Sequence, residues 1–124
     1  MKYLFLSSTD SLDLSPNNST YDFTVTLPQT IMGEFKIALV EMHYTSHFED
    51  LYVYCDIAEQ SYVKDSSLPI LRIVSQMGEF GNLYFFPVTR RAIQRIRVYI
   101  TNKDFETPLQ DAGPIRCTLV LQPR

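Results

Sequence analysis

His43 and His47 stand four residues apart, the spacing that would place two imidazoles on one face of a helix and suit a zinc site. Their segment alternates apolar and polar residues as a strand does, then runs into the loop Ser46 to Asp50, so the helical geometry is missing. Glu41, Asp50 and Asp56 are near only in sequence, and no metal is expected. A nucleophilic cysteine needs a partly exposed, electropositive setting with a histidine in reach. Cys55 and Cys117 instead fall at apolar positions of alternating runs, which predicts small core residues. Ser7-Ser8-Thr9 and Ser66-Ser67 lack the pattern that surrounds a strained nucleophilic serine, and the 4 glycines are too scattered to cradle a phosphate. The expectation is a protein that is not an enzyme and uses no cofactor.

Charge and aromatic side chains offer binding chemistry instead. Arg90, Arg91, Arg95 and Arg97 crowd four of the 11 lysines and arginines into one short segment. Arg95 and Arg97 share a strand face with Tyr99, a stripe suited to a partner's carboxylates or to phosphate. The alternative is a solvated face that discourages edge-to-edge aggregation. Tyr52 and Tyr54 also fall at outward parities, and tyrosine with arginine is the pairing enriched at the centres of protein interfaces. These seven residues are the candidate protein contacts. In a closed ring each subunit shows two different patches, so the stripe would meet acids such as Glu34, Glu41 or Glu49 of a neighbour. A net charge of −3 and a pI near 5.2 give no general attraction to phosphate, so nucleic acid is not an expected partner.

Short runs with period-2 alternation, rich in Val, Ile, Tyr, Phe and Thr and punctuated by Pro, Gly, Asn, Asp and Ser, must position those residues. Tyr21 to Leu27 puts Tyr21, Phe23, Val25 and Leu27 on one face, and Pro28 is expected to stop its ladder. Glu34 to Thr45 reads as a central strand covered on both faces, with Phe35, Ile37 and Leu39 opposite Ala38, Val40, Met42 and Tyr44. Leu51 to Ala58 sets Leu51, Val53, Cys55 and Ile57 against Tyr52, Tyr54, Asp56 and Ala58. Ile93 to Thr101 turns Ile96, Val98 and Ile100 inward. Ile115 to Leu121 alternates Ile115, Cys117, Leu119 and Leu121 against Arg116, Thr118 and Val120. With Lys2 to Leu6, Leu68 to Val74 and Leu83 to Phe86 this makes about eight strands, the number of a two-sheet antiparallel β-sandwich, jelly-roll-like and all-β. Val88 to Ile93 is the one candidate helical turn, with Thr89 as its cap.

At 124 residues, 45% hydrophobic and 20% charged, the chain has the size and composition of one folded domain, residues 1–124. The apolar start Tyr3 to Leu6 is interrupted by Ser7-Ser8-Thr9-Asp10 before reaching the length of a signal-peptide core, so secretion is not expected and the cysteines should be reduced. Asn17-Asn18-Ser19-Thr20 is then a polar turn rather than a glycosylation site. No run is long enough to cross a bilayer as a helix, and no membrane partner is expected.

Three stretches carry a family resemblance: Ser15-Pro16-Asn17-Asn18-Ser19-Thr20-Tyr21-Asp22-Phe23-Thr24-Val25-Thr26-Leu27-Pro28, then Gly33-Glu34-Phe35-Lys36-Ile37-Ala38-Leu39-Val40-Glu41-Met42, then Tyr52-Val53-Tyr54-Cys55-Asp56-Ile57. Their order resembles the minor capsid, or penton, jelly-roll protein of Polinton (Maverick) elements and adintoviruses. Phe35 stands where that family usually has tryptophan, and Pro69-Ile70-Leu71-Arg72 also fits. The resemblance implies a virion component, assembled inside the host cell, that forms a homo-oligomer (a pentamer before a trimer) and contacts other capsid proteins. The competing reading is a monomeric ligand- or carbohydrate-binding sandwich that stacks sugars on exposed tyrosines.

Overall fold

Alternating side chains form long strands here because each strand has one face to bury. The computed structural model describes residues 1–8, 19, 21–45, 50–63, 65–102 and 114–124. Its strands are β1 (Lys2–Ser7), β2 (Asp22–Met32), β3 (Phe35–His43), β4 (Leu51–Cys55), β5 (Ser61–Val63), β6 (Ser66–Leu68), β7 (Ile70–Val74), β8 (Gly78–Glu79), β9 (Phe86–Pro87), β10 (Ala92–Thr101) and β11 (Arg116–Pro123). One sheet runs β1-β11-β3-β8, with β9 also on β3; the other runs β2-β10-β4-β7; β5 and β6 form a separate hairpin. The pairing is nested: β1 with β11, β2 with β10, β3 with β8 and β9, β4 with β7, all antiparallel. That is one long hairpin rolled into two facing sheets, the jelly-roll arrangement of an all-β sandwich.

The inner faces meet in one core. Phe23, Ile37, Leu51, Val53, Ile93, Ile96 and Leu119 are all excluded from solvent there, and Cys55 and Cys117 face it from opposite sheets. Strict alternation would not achieve this, and three register shifts correct it. On β3 the pairing with β11 jumps from Glu41 to Leu39 opposite Thr118 and Leu119, leaving Val40 without a register partner on β11. Met42 and Tyr44 thereby join Phe35, Ile37 and Leu39 in one core, rather than facing the other way as simple alternation predicts. The central position expected for this strand is observed, and Ala38, on the opposite face, is also buried.

Pro28 does not end its strand. β2 continues to Met32 because it is a sheet edge, and the pairing with β10 shifts between Thr26 and Ile31, so a residue without an N–H is accommodated. Of the run Leu83 to Phe86 only Phe86 enters a strand, and Leu83 and Tyr84 are exposed. No helical turn forms at Val88 to Ile93. Val88 bridges Ala58, and both the Thr89 backbone N–H (2.9 Å) and hydroxyl (3.3 Å) donate to the Ile57 carbonyl, which fixes this stretch across to the end of β4.

The β2 to β3 turn needs glycine. Gly33 has φ of 131°, its N–H donates to the Arg91 carbonyl at 2.9 Å, and an added Cβ would lie 3.2 Å from the Phe35 ring. Gly78 has φ of 123° but open space around it. Gly33→Ala should therefore cost more than Gly78→Ala, the backbone contribution being about 1–3 kcal/mol in each. Urea unfolding of the two variants checks this, and equal losses would mean that the Phe35 ring yields freely.

Candidate protein interface

The outer face of the second sheet is organised on β10, which lies between β2 and β4. Its inward residues Ile96, Val98 and Ile100 leave Arg95, Arg97 and Tyr99 outward, as alternation predicts. Register sets Tyr99 opposite both Asp22 and Tyr54, and Arg97 opposite Thr24. The Arg97 guanidinium donates from Nε to Asp22 Oδ1 at 2.9 Å and from Nη2 to Asp22 Oδ2 at 2.8 Å, a two-pronged pair that also covers the Tyr99 ring at 4.5 Å. This hydrogen bonding raises the Arg97 pKa further, so the side chain stays charged.

Asp56 ties the end of β4 to the same strand. It accepts from the Arg97 backbone N–H at 2.9 Å, donates its own N–H to the Arg97 carbonyl at 3.1 Å, and pairs with Arg90 at 3.3 Å. Arg91 pairs with Glu34 at 2.8 Å across an exposed surface. Three of the four arginines are thus answered by acids of their own chain, and Glu34 is engaged internally rather than left for a neighbour. Glu41 accepts from Thr118 on the other sheet, and Glu49 lies outside the described residues. Arg95 is exposed, and no ion pair to it is found among the described residues.

Tyr54 corrects the expectation of an outward tyrosine. It is fully buried in a second, smaller core with Val63 and Ile70, against which Tyr52, Leu68 and Tyr99 pack half-buried. The β5–β6 hairpin supplies Val63 and Leu68 to this core. Tyr54 stacks on Tyr99 with ring centres 4.8 Å apart and shares a hydrogen bond with the Thr101 hydroxyl at 3.1 Å. Burial pushes the Tyr99 phenol pKa up, with Arg97 drawing it partly back. The exposed tyrosine of this region is Tyr62, on β5, which the strand runs did not single out.

The nucleophile candidates are placed in structural roles. Ser8 is buried, exchanging bonds with Ile115: its N–H donates to the Ile115 carbonyl and its hydroxyl accepts from the Ile115 N–H, each at 2.9 Å. His43 ends β3, and His47 lies outside the described residues; among the described residues no three His, Cys, Asp or Glu side chains converge as a metal site. Cys55 and Cys117 are free and buried, and burial pushes each thiol pKa up to about 12. With this geometry in hand, comparison with protein families, curated proteins and solved structures returns no match.

Three outcomes are expected. The Asp22–Arg97 pair is 38% and 47% exposed, so solvent screening limits a double-mutant cycle with D22A and R97A to a coupling of about 0.5–1 kcal/mol in urea unfolding. A coupling of zero would make the pair a matter of register alone. The two thiols should resist iodoacetamide at pH 8 in the folded protein and react once it is unfolded. Their folded pKa values lie above the unfolded 9.0, so their contribution to stability is whole below pH 9 and is lost as pH rises toward 12. Wild type should accordingly lose urea midpoint above pH 9 faster than a C55A/C117A variant does.

Proposed function

We propose that the chain is a viral-type structural protein, a penton or minor capsid jelly-roll subunit that assembles into a ring and contacts other capsid proteins in the virion. The observation that carries this reading is the rolled, nested strand order of the five-stranded and four-stranded sheets. The stretches that resemble Polinton and adintovirus penton proteins contribute to its consecutive strands β2, β3 and β4, and Pro69-Ile70-Leu71-Arg72 enters β7.

The distribution of exposed apolar side chains supports a ring. A head-to-tail ring requires two different patches on each subunit. Met1 and Met32 are exposed by the edge strands β1 and β2, whereas Ile73 and Met77 are exposed at the opposite edge, around β7 and β8. Contact through those edges would bring apolar surface together at both sides of every subunit. Arg95 supplies the charge that has no answer within the described part of its own chain, with Arg97 and Tyr99 on the same outward face of β10; Arg90, Arg91 and Tyr52 complete the set of proposed contacts.

Light scattering of the purified protein at micromolar concentration tests the reading. A discrete ring, a pentamer before a trimer, should be seen at low salt and should loosen as salt screens its charges. Arg95→Glu should shift the mass toward monomer more than Arg91→Glu, whose wild-type charge is already paired. A strict monomer at every concentration and salt would overturn self-assembly.

A further inference from the structure

The outer face of the first sheet carries a constellation independent of the arginine face. Leu4 and Leu6 turn toward the core, so Tyr3, Phe5 and Ser7 of β1 face outward. Register then aligns two rows across three strands: Ser7, Arg116 and His43 in one, Phe5, Thr118 and Glu41 in the next. Together these six side chains line a recess of about 270 Å³. Glu41 is held in place, one oxygen accepting from the Thr118 hydroxyl at 2.7 Å and the other 3.7 Å from His43 Nε2. The Phe5 ring is 77% exposed and lies beside Tyr3, ring centres 6.4 Å apart and planes 23° apart, an exposed aromatic pair at the lip of the recess. Arg116 is exposed, and no ion pair to it is found among the described residues.

We infer that this face binds a saccharide carrying a carboxylate, of the hexuronic acid class. A pyranose ring has an apolar face of C–H groups and a polar rim, and the site matches it part for part. The ring face lies on the exposed Phe5 ring, with Tyr3 as the neighbouring aromatic. The carboxylate takes the Arg116 guanidinium, whose two parallel donors fit a carboxylate and which has no ion pair among the described residues. Hydroxyls on the rim meet Glu41, oriented by Thr118, and His43 beside it. A neutral sugar would keep the stacking and forgo the Arg116 contact, which makes charge the basis of discrimination.

Saturation-transfer NMR with methyl glucuronide and methyl glucoside at millimolar concentration tests the assignment. Transfer to the glucuronide ring protons is expected, with affinity about tenfold above that for the glucoside, the size of one charge-assisted contact. Phe5→Ala should abolish transfer to both sugars, and Arg116→Gln should lower the glucuronide to the level of the glucoside. Phe5 is exposed, so its variant should keep the wild-type circular dichroism and scattering mass. Absence of transfer to either sugar, or transfer unchanged by Phe5→Ala, would overturn the site. A changed scattering mass in Phe5→Ala would also overturn it, by marking this face as a subunit contact, and would leave the ring proposal standing.

Discussion

Keeping every inward side chain on the inward face over strands of nine to eleven residues is the constraint on which the molecule depends. A side chain changes face at each step along a strand, so a single misplaced residue would turn the remainder of the strand outward. Three ladders contain a shift that resets the count: at Val40 on β3, between Ile93 and Arg95 on β10, and opposite Val53 and Tyr54 on β4. The shift on β10 keeps Ile93 and Ile96 both in the core although they are three positions apart, and from Arg95 onward it sets the outward stripe. Core and surface chemistry are therefore fixed by the same irregularities.

The outer faces of the two sheets use that regularity differently. On the second sheet the polar groups are largely spent on the protein itself: Asp22 and Asp56 hold Arg97 and Arg90, and the hairpin β5–β6 helps close a small core over Tyr54. What is left for a partner there is narrower than the arginine count suggests, centred on Arg95. On the first sheet, Thr118 and Glu41 satisfy each other while Phe5 and Arg116 remain exposed, one apolar and one charged, side by side.

Much of this was legible in the residues. The alternation of Phe23, Val25 and Leu27, of Ile96, Val98 and Ile100, and of Cys117, Leu119 and Leu121 specified strands, inward faces and a sandwich, and it placed both cysteines inside. The bulge at Val40 was not legible, because an inserted residue of strand-forming type looks like any other member of the run. Tyr54 was misplaced because parity tells which face a side chain leaves by, not what lies over that face; its cover is a pair of three-residue strands too short to register as a pattern. The Arg97 partner lies 75 positions away, beyond anything that charge spacing along the chain can reveal. The outward parity of Phe5 between Leu4 and Leu6 was readable, but its neighbours Glu41 and Arg116 come from strands that only the folded register brings together.

The nested pairing also orders the molecule in time. The innermost pair of its two sheets, in β4 and β7, joins Tyr54 to Ile70, and its outermost joins Lys2 to Leu121. Closing a short loop costs less chain entropy than closing a long one, which favours zipping from the β4–β7 tip outward, with β1 docking on β11 as the final step. A surface built from that last pair cannot exist on a half-made subunit. Whatever recognises Phe5 beside Arg116 is thus presented only with chains whose roll is complete, and the position of the site doubles as a record that folding has finished.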